Sequence, residues 1–224
     1  MRFLALIAIT VAFAGDNALA QEMTNAPVST AKDTTPAFTK EADEKAWSFS
    51  ISASTYIVPD DQEYVQPTFT ADRGWLHLET RYNYENLETG SAWVGYNFGG
   101  GKKLEWEFTP MFGGVFGETR GIAPGYKGSL SWWKLELYSE GEFVFDTSST
   151  SDSFFYNWSE LTLAPAESFR FGMVTQRTRV YQTDRDIQRG VLAGFSFKKV
   201  SVTGYALNPD EDSPTFVLAV ALTF

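Results

Sequence analysis

From Trp47 onward, large apolar residues recur at every second position, in runs separated by glycine, proline, asparagine and acidic residues. A period of two is the signature of a β-strand with two unlike faces. Twelve such runs are drawn: 47–58, 63–71, 74–84, 89–98, 103–116, 119–131, 133–145, 153–164, 168–181, 187–198, 200–207 and 214–224. Most reach nine residues, the length a tilted strand needs to cross a bilayer. The connections alternate in kind. One set is tight, at Asp72-Arg73, Gly99 to Lys102, Ala166-Glu167 and Lys198-Lys199. The other is longer and acidic, at Pro59 to Gln62, Glu85 to Glu88, Asp146 to Asp152, Thr183 to Asp186 and Asn208 to Ser213. Six glycines between 113 and 128 blur the region 112–131, where they mark bulges or bends. A ten-strand count therefore stays open.

The alternation separates a greasy face from a charged one. In the third run, Leu76, Leu78, Thr80, Tyr82 and Tyr84 oppose Trp75, His77, Glu79 and Arg81. In the fifth, Leu104, Trp106 and Phe108 oppose Lys103, Glu105 and Glu107. In the seventh, Trp133, Leu135, Leu137, Phe143 and Phe145 oppose Lys134, Glu136, Tyr138, Glu140 and Glu142. In the ninth, Phe169, Phe171 and Met173 oppose Arg170, Val174 and Gln176. A soluble barrel turns its apolar face inward. Aromatics near the run ends and the large strand number favour the inverse, with charges on the barrel axis.

The last run carries Phe216, Leu218, Val220, Leu222 and Phe224 on one face and Thr215, Val217, Ala219, Ala221 and Thr223 on the other. It ends on phenylalanine. This resembles the closing strand of Gram-negative outer-membrane β-barrels, where the apolar set is also an assembly signal. The resemblance implies an all-β, closed antiparallel up-and-down transmembrane barrel of about twelve strands over residues 47–224. It implies outer-membrane lipid and lipopolysaccharide as surroundings, and the barrel-assembly machinery as a partner read through the last strand. The barrel is expected to be a monomer.

The amino terminus fits that destination. Arg2, the apolar stretch Phe3–Ala14 and Ala18-Leu19-Ala20 have the layout of a cleaved signal peptide over residues 1–20. Residues 21–46 are polar and read as a flexible periplasmic tail. The chain has 224 residues, no cysteine and a net charge of −10. That excludes disulfides and thiolate metal sites and argues against nucleic acid as a partner. No cofactor is implied. Aromatics make up 16% of the residues, which suits belts at two membrane interfaces.

With charges inward, His77, Glu79, Arg81, Glu105, Glu107, Lys134, Glu136, Glu140, Glu142, Glu160 and Arg170 line the lumen. The acidic excess favours cations if water fills it. Two readings compete: a narrow passive channel for small polar solutes or ions, and a structural barrel whose charges pair and plug it. An outer-membrane hydrolase needs a His–nucleophile pair. The chain has one histidine, His77, followed two residues later by Glu79 rather than serine, so no catalytic residue is assigned. The acidic runs at Asp60-Asp61, Asp184/Asp186 and Asp210 to Asp212 read as solvated loops, not metal sites. Arg177, Arg179, Arg185 and Arg189 flank the turn after the ninth run. Arg177 and Arg179 share parity with the outward residues, so the set is read as contacts to lipopolysaccharide phosphates.

Overall fold

The computed structural model describes residues 46–59, 63–148, 153–180 and 186–224. The expected signal peptide and nearly all of the tail lie outside the described residues. The described chain forms thirteen strands. They are β1 (Ser48–Ile57), β2 (Tyr64–Arg73), β3 (Leu76–Tyr82), β4 (Thr89–Tyr96), β5 (Phe98–Gly100), β6 (Leu104–Gly117) and β7 (Gly121–Trp132). Then come β8 (Leu135–Asp146), β9 (Phe154–Ala166), β10 (Phe169–Val180), β11 (Asp186–Phe197), β12 (Val200–Leu207) and β13 (Thr215–Thr223).

Twelve of these close into a ring, each antiparallel to its chain neighbours. The ring shuts twice: β1 pairs β13 from Ser50 opposite Thr223 to Ile57 opposite Phe216, and β4 pairs β6 from Thr89 opposite Gly117 to Gly95 opposite Met111. The short β5 lies beyond Asn97 and pairs β6 in the same register, Phe98 opposite Phe108. Closure leaves no open sheet edge, which a bilayer requires because lipid supplies no hydrogen bonds.

At one end the strands are joined by tight two-residue turns, several with a residue in the left-handed region: Gly74, Trp133 and Lys198. Both described chain ends meet there, where the Phe49 amide donates to Phe224 and the Phe224 amide to Phe49. The other end carries the longer connections.

The two faces fall as the alternation requires. Leu135, Leu218, Phe108 and Met173 point out, while Glu79 is 2% exposed on the axis. Outward aromatics collect toward both ends: Trp47, Phe49 and Phe224 stack in a row at the turn end. Two residues depart from the expected faces. Trp75 belongs to the β2–β3 turn and stacks outside on Tyr96, 5.3 Å between centroids. Tyr84, expected outside, points into the lumen and donates to Glu140. β3 ends at Tyr82, and Asn83 takes a left-handed backbone with φ 56°, which resets the alternation.

The glycines of 112–131 do not shorten the array. β6 and β7 pair without interruption from Leu104 opposite Trp132 to Val115 opposite Gly121. Gly113 faces inward, where an added Cβ would lie 2.4 Å from the Trp93 indole. Its bareness makes the seat for that ring. Gly113→Ala is expected to cost about 1–3 kcal/mol by overpacking, read as an earlier midpoint in a heat-shift gel. Gly114→Ala, with nothing within 4 Å, should leave that midpoint in place.

Candidate functional site

The inward positions of β3, β7 and β8 build a buried charge network around Glu79. Arg81 Nε and Lys127 Nζ both donate to Glu79. Arg81 Nη1 donates to Glu142 Oε2 at 2.7 Å and lies 3.9 Å from Glu85. The Arg81 guanidinium also stacks on two rings, 4.2 Å from the Tyr84 centroid and 4.7 Å from that of Trp93. Glu140 accepts from Tyr84 and, at 2.7 Å, from Tyr138. One guanidinium therefore stands within 4 Å of three carboxylates while its planar face stacks on two rings, a combination that suits arginine better than lysine.

His77 extends the network toward the turn end. Its Nδ1 is 2.8 Å from Asp72 Oδ1, and its Nε2 is 3.3 Å from Glu79 Oε2. Asn97 donates to the same Asp72 oxygen and accepts from Thr109. Both ring nitrogens are engaged by carboxylates, so the imidazole holds the lumen wall together rather than facing a nucleophile.

A second node stands across the lumen. Glu160 accepts from Trp158 Nε1 (2.8 Å), Tyr205 (2.9 Å) and Arg170 Nη1 (2.8 Å). Arg170 also donates to Thr203 at 3.2 Å.

The Glu79 network is unbalanced. Asp72, Glu79, Glu85, Glu140 and Glu142 face two fixed cations, Arg81 and Lys127. One oxygen each of Asp72, Glu85 and Glu142 is buried without a hydrogen-bond partner. Buried carboxylate oxygens without a donor are costly, so these groups gain from any proton, water or cation that reaches them.

The space along the axis is uneven. At the turn end a vestibule of about 710 Å³ opens, lined by Lys102, Glu105, Lys134, Glu136, Glu160 and Arg170, among others. Tyr138 and Glu160 separate it from a smaller cavity of about 90 Å³ bounded by Ser52, Thr68, Glu79, Arg81, Tyr84 and Lys127. Toward the loop end apolar side chains join the inward groups. Tyr56, Trp158, Val174, Leu192, Leu207 and Val217 form one apolar cluster, and Trp93, Met111, Val115, Ala123 and Val144 form another.

The lumen is thus not polar throughout, as the charges alone suggested. Val174 and Val217 sit on the parity expected to face inward. Their clustering with Leu192 and Leu207 depends on strand register, which no single run reveals.

Ten of the eleven proposed lumen residues fall on inward strand positions and Lys134 lies in the β7–β8 turn at the mouth; they separate into groups. His77, Glu79, Arg81, Glu140 and Glu142 meet in one network. Glu160 and Arg170 form the second node. Glu105, Lys134 and Glu136 ring the vestibule, with Lys134 donating to the Pro165 carbonyl at 2.7 Å. Glu107 lies on the inward side of β6, opposite Ser129. The sequence reading missed Lys127, Glu85 and Asp72, the partners that complete the network. Lys127 was hidden by the surrounding glycines, and Asp72 and Glu85 by their places at strand ends.

Of the four arginines, Arg177 is outward in β10, opposite Ile187, with its guanidinium over the Phe155 ring. Arg189 is exposed and donates to Asp210 at 2.7 Å, which holds that carboxyl below its usual range. Arg179 is opposite Phe155 in the β9–β10 ladder. Arg185 lies outside the described residues. Among the described residues, no three His, Asp or Glu side chains converge to hold a metal ion.

No protein-family model and no curated protein matches the chain. Solved structures do. KdgM porin is similar at TM-score 0.59 and 12% identity, over 78% of this chain and 99% of that one. KdgM porin in complex with disordered oligogalacturonate gives 0.58 and 11%, over 78% and 99%. The Acinetobacter baumannii outer membrane protein Omp33 gives 0.48 and 10%, over 80% and 98%. The fold is that of outer-membrane porin barrels.

Proposed function

We propose that this chain resides in the outer membrane as a narrow passive channel for small polar solutes or ions, with a preference for cations. The observation that carries the reading is the surplus of carboxylates on the axis, of which Glu79, Glu140 and Glu160 line the small inner cavity and Glu105, Glu136 and Glu160 the vestibule. A lumen lined by fixed acidic groups admits cations and repels anions. The porin-type fold supports the place and the passive mode. An oligogalacturonate carries a carboxylate on each sugar and would meet repulsion here, so this chain is assigned a different solute class from the ligand of that neighbour.

A second reading has its own support. The two apolar clusters narrow the lumen toward the loop end and, with the paired charges, would make a plugged, structural barrel. Reconstitution in planar bilayers separates the two. A channel gives discrete current steps, and in a salt gradient the reversal potential carries the sign of cation selectivity. No steps from pure, folded protein would establish the plug; an anion-selective potential would reject the acidic lumen as the filter. Glu140→Gln, which removes one axial charge and keeps one of the two acceptor oxygens, is expected to shift the reversal potential toward zero.

The outward set Phe216, Leu218, Val220, Leu222 and Phe224 supports recognition of the last strand by the assembly machinery. Arg177 and Arg189, outward near the loop end, support contact with lipopolysaccharide phosphates. The Asp210 partner of Arg189 would be exchanged for phosphate in that contact.

A further inference from the structure

The inner cavity has two unlike sides. Alternate residues of β1 are serines, and Ser52 and Ser54 border the cavity. Their ladder partners are as small: Ser52 stands opposite Thr68 on β2 and Ala221 on β13, and Ser54 opposite Ala219. β8 stands six strands from β1 either way round the ring. The serine face therefore looks across the lumen at Tyr138 and Glu140, which border the same space. Short side chains on one wall leave open what the long ones opposite do not fill.

The carboxylates of the cavity are not equivalent. Lys127 donates to Glu79, and Arg170 donates to Glu160 at 2.8 Å. Glu140 accepts from the hydroxyls of Tyr84 and Tyr138, and Lys127 stands 3.8 Å from it. A carboxylate offers about four acceptor positions, so two neutral donors leave Glu140 both charge and acceptor capacity. The rings of Tyr84, Tyr138, Tyr156 and Trp158 border the cavity as well, and cations are drawn to aromatic faces.

These walls suit an organic cation better than a metal ion. Calcium and magnesium take six or more oxygens, and among the described residues no three acidic or histidine side chains converge on one point. Arg81 shows the matching arrangement filled by the chain's own guanidinium. Glu79 and Glu142 accept from its nitrogens, and its carbon lies 4.2 Å and 4.7 Å from the ring centroids of Tyr84 and Trp93. The space of about 90 Å³ is roughly that of three liquid waters, which limits a guest to a few non-hydrogen atoms.

We propose that the inner cavity binds a small organic cation bearing N–H groups, a primary alkylammonium or a guanidinium. Glu140 receives its charge, the aromatic rings cover its carbons, and the β1 hydroxyls accept its remaining N–H groups. The proposal rests on the cation-selective channel for entry of the solute and narrows the class of that solute.

The test is calorimetric titration of the full, folded barrel with methylguanidinium, with tetramethylammonium and sodium as comparison ions. Methylguanidinium is expected to bind saturably, and tetramethylammonium, which has no N–H, at least tenfold more weakly. Glu140→Gln should weaken methylguanidinium by about tenfold or more, the worth of a hydrogen bond to a charged group. Ser52→Leu fills the cavity from the wall away from the charges and should weaken it as much. No saturable binding to the wild type, equal affinity for sodium or tetramethylammonium, or unchanged affinity in either folded variant would overturn the proposal. Should Glu140→Gln fail to give a heat-shifted band, Ser52→Leu and the comparison ions decide. Bilayer currents separate this site from the channel itself. Cation-selective steps without methylguanidinium binding would remove the site and leave the channel; binding without steps would keep the site and remove the channel.

Discussion

Arg81→Ala is expected to lower the stability of the folded barrel by about 3–5 kcal/mol, because it leaves buried carboxylates without their cation. Glu79, Glu142 and Glu85 all turn toward the Arg81 guanidinium. Lys127 can compensate only one of them, since it reaches Glu79 and lies 3.8 Å from Glu140. The stranded carboxylates would draw water and counter-ions into the space the side chain vacates. Conductance and cation selectivity should therefore rise together as the heat-shift midpoint falls. Arg81→Lys keeps the charge but not the fork, and should fall between the two. A wild-type midpoint and unchanged current in Arg81→Ala would place the constriction elsewhere, in the apolar clusters of the loop half.

The second large effect tests the two-faced wall itself. Leu218 and Ala219 are adjacent in β13 and point to opposite sides. Leu218 is 48% exposed on the outer wall, and Ala219 borders the inner cavity. Leu218→Arg puts a charge among lipid tails near mid-strand and is expected to cost about 2–4 kcal/mol. It also interrupts the apolar set proposed for assembly, so the yield of heat-shifted protein in the outer membrane should drop steeply. Ala219→Ser adds one hydroxyl to a polar cavity and should assemble at the wild-type level. If the two variants behaved alike, or if Ala219→Ser were the worse, the outward assignment of the greasy face would fail.

Much of this architecture is legible in the chain because a strand forces side chains to alternate. Ile51, Leu104, Leu135 and Phe169 stand outside, and Glu79, Glu142, Glu160 and Arg170 inside, from parity alone. Turn residues then set the strand count. Parity fails where the backbone leaves the extended region: Asn83 reverses Tyr84, and the turn at Gly74 frees Trp75. It also says nothing about residues on different strands. Lys127 reaches Glu79 only because β4 and β6 close the ring between β3 and β7.

By itself, then, the sequence determined the class of fold, the greasy and charged faces, and the acidic bias of the interior, all of which are local or additive properties. The tertiary structure decided which inward groups meet, that Trp93 rests against a bare Gly113, that inward apolar residues gather into two clusters, and that the serine face of β1 stands across the lumen from β8. Those are properties of register and ring closure. A shift of one residue between two strands would leave every run's pattern intact and change every neighbour across it.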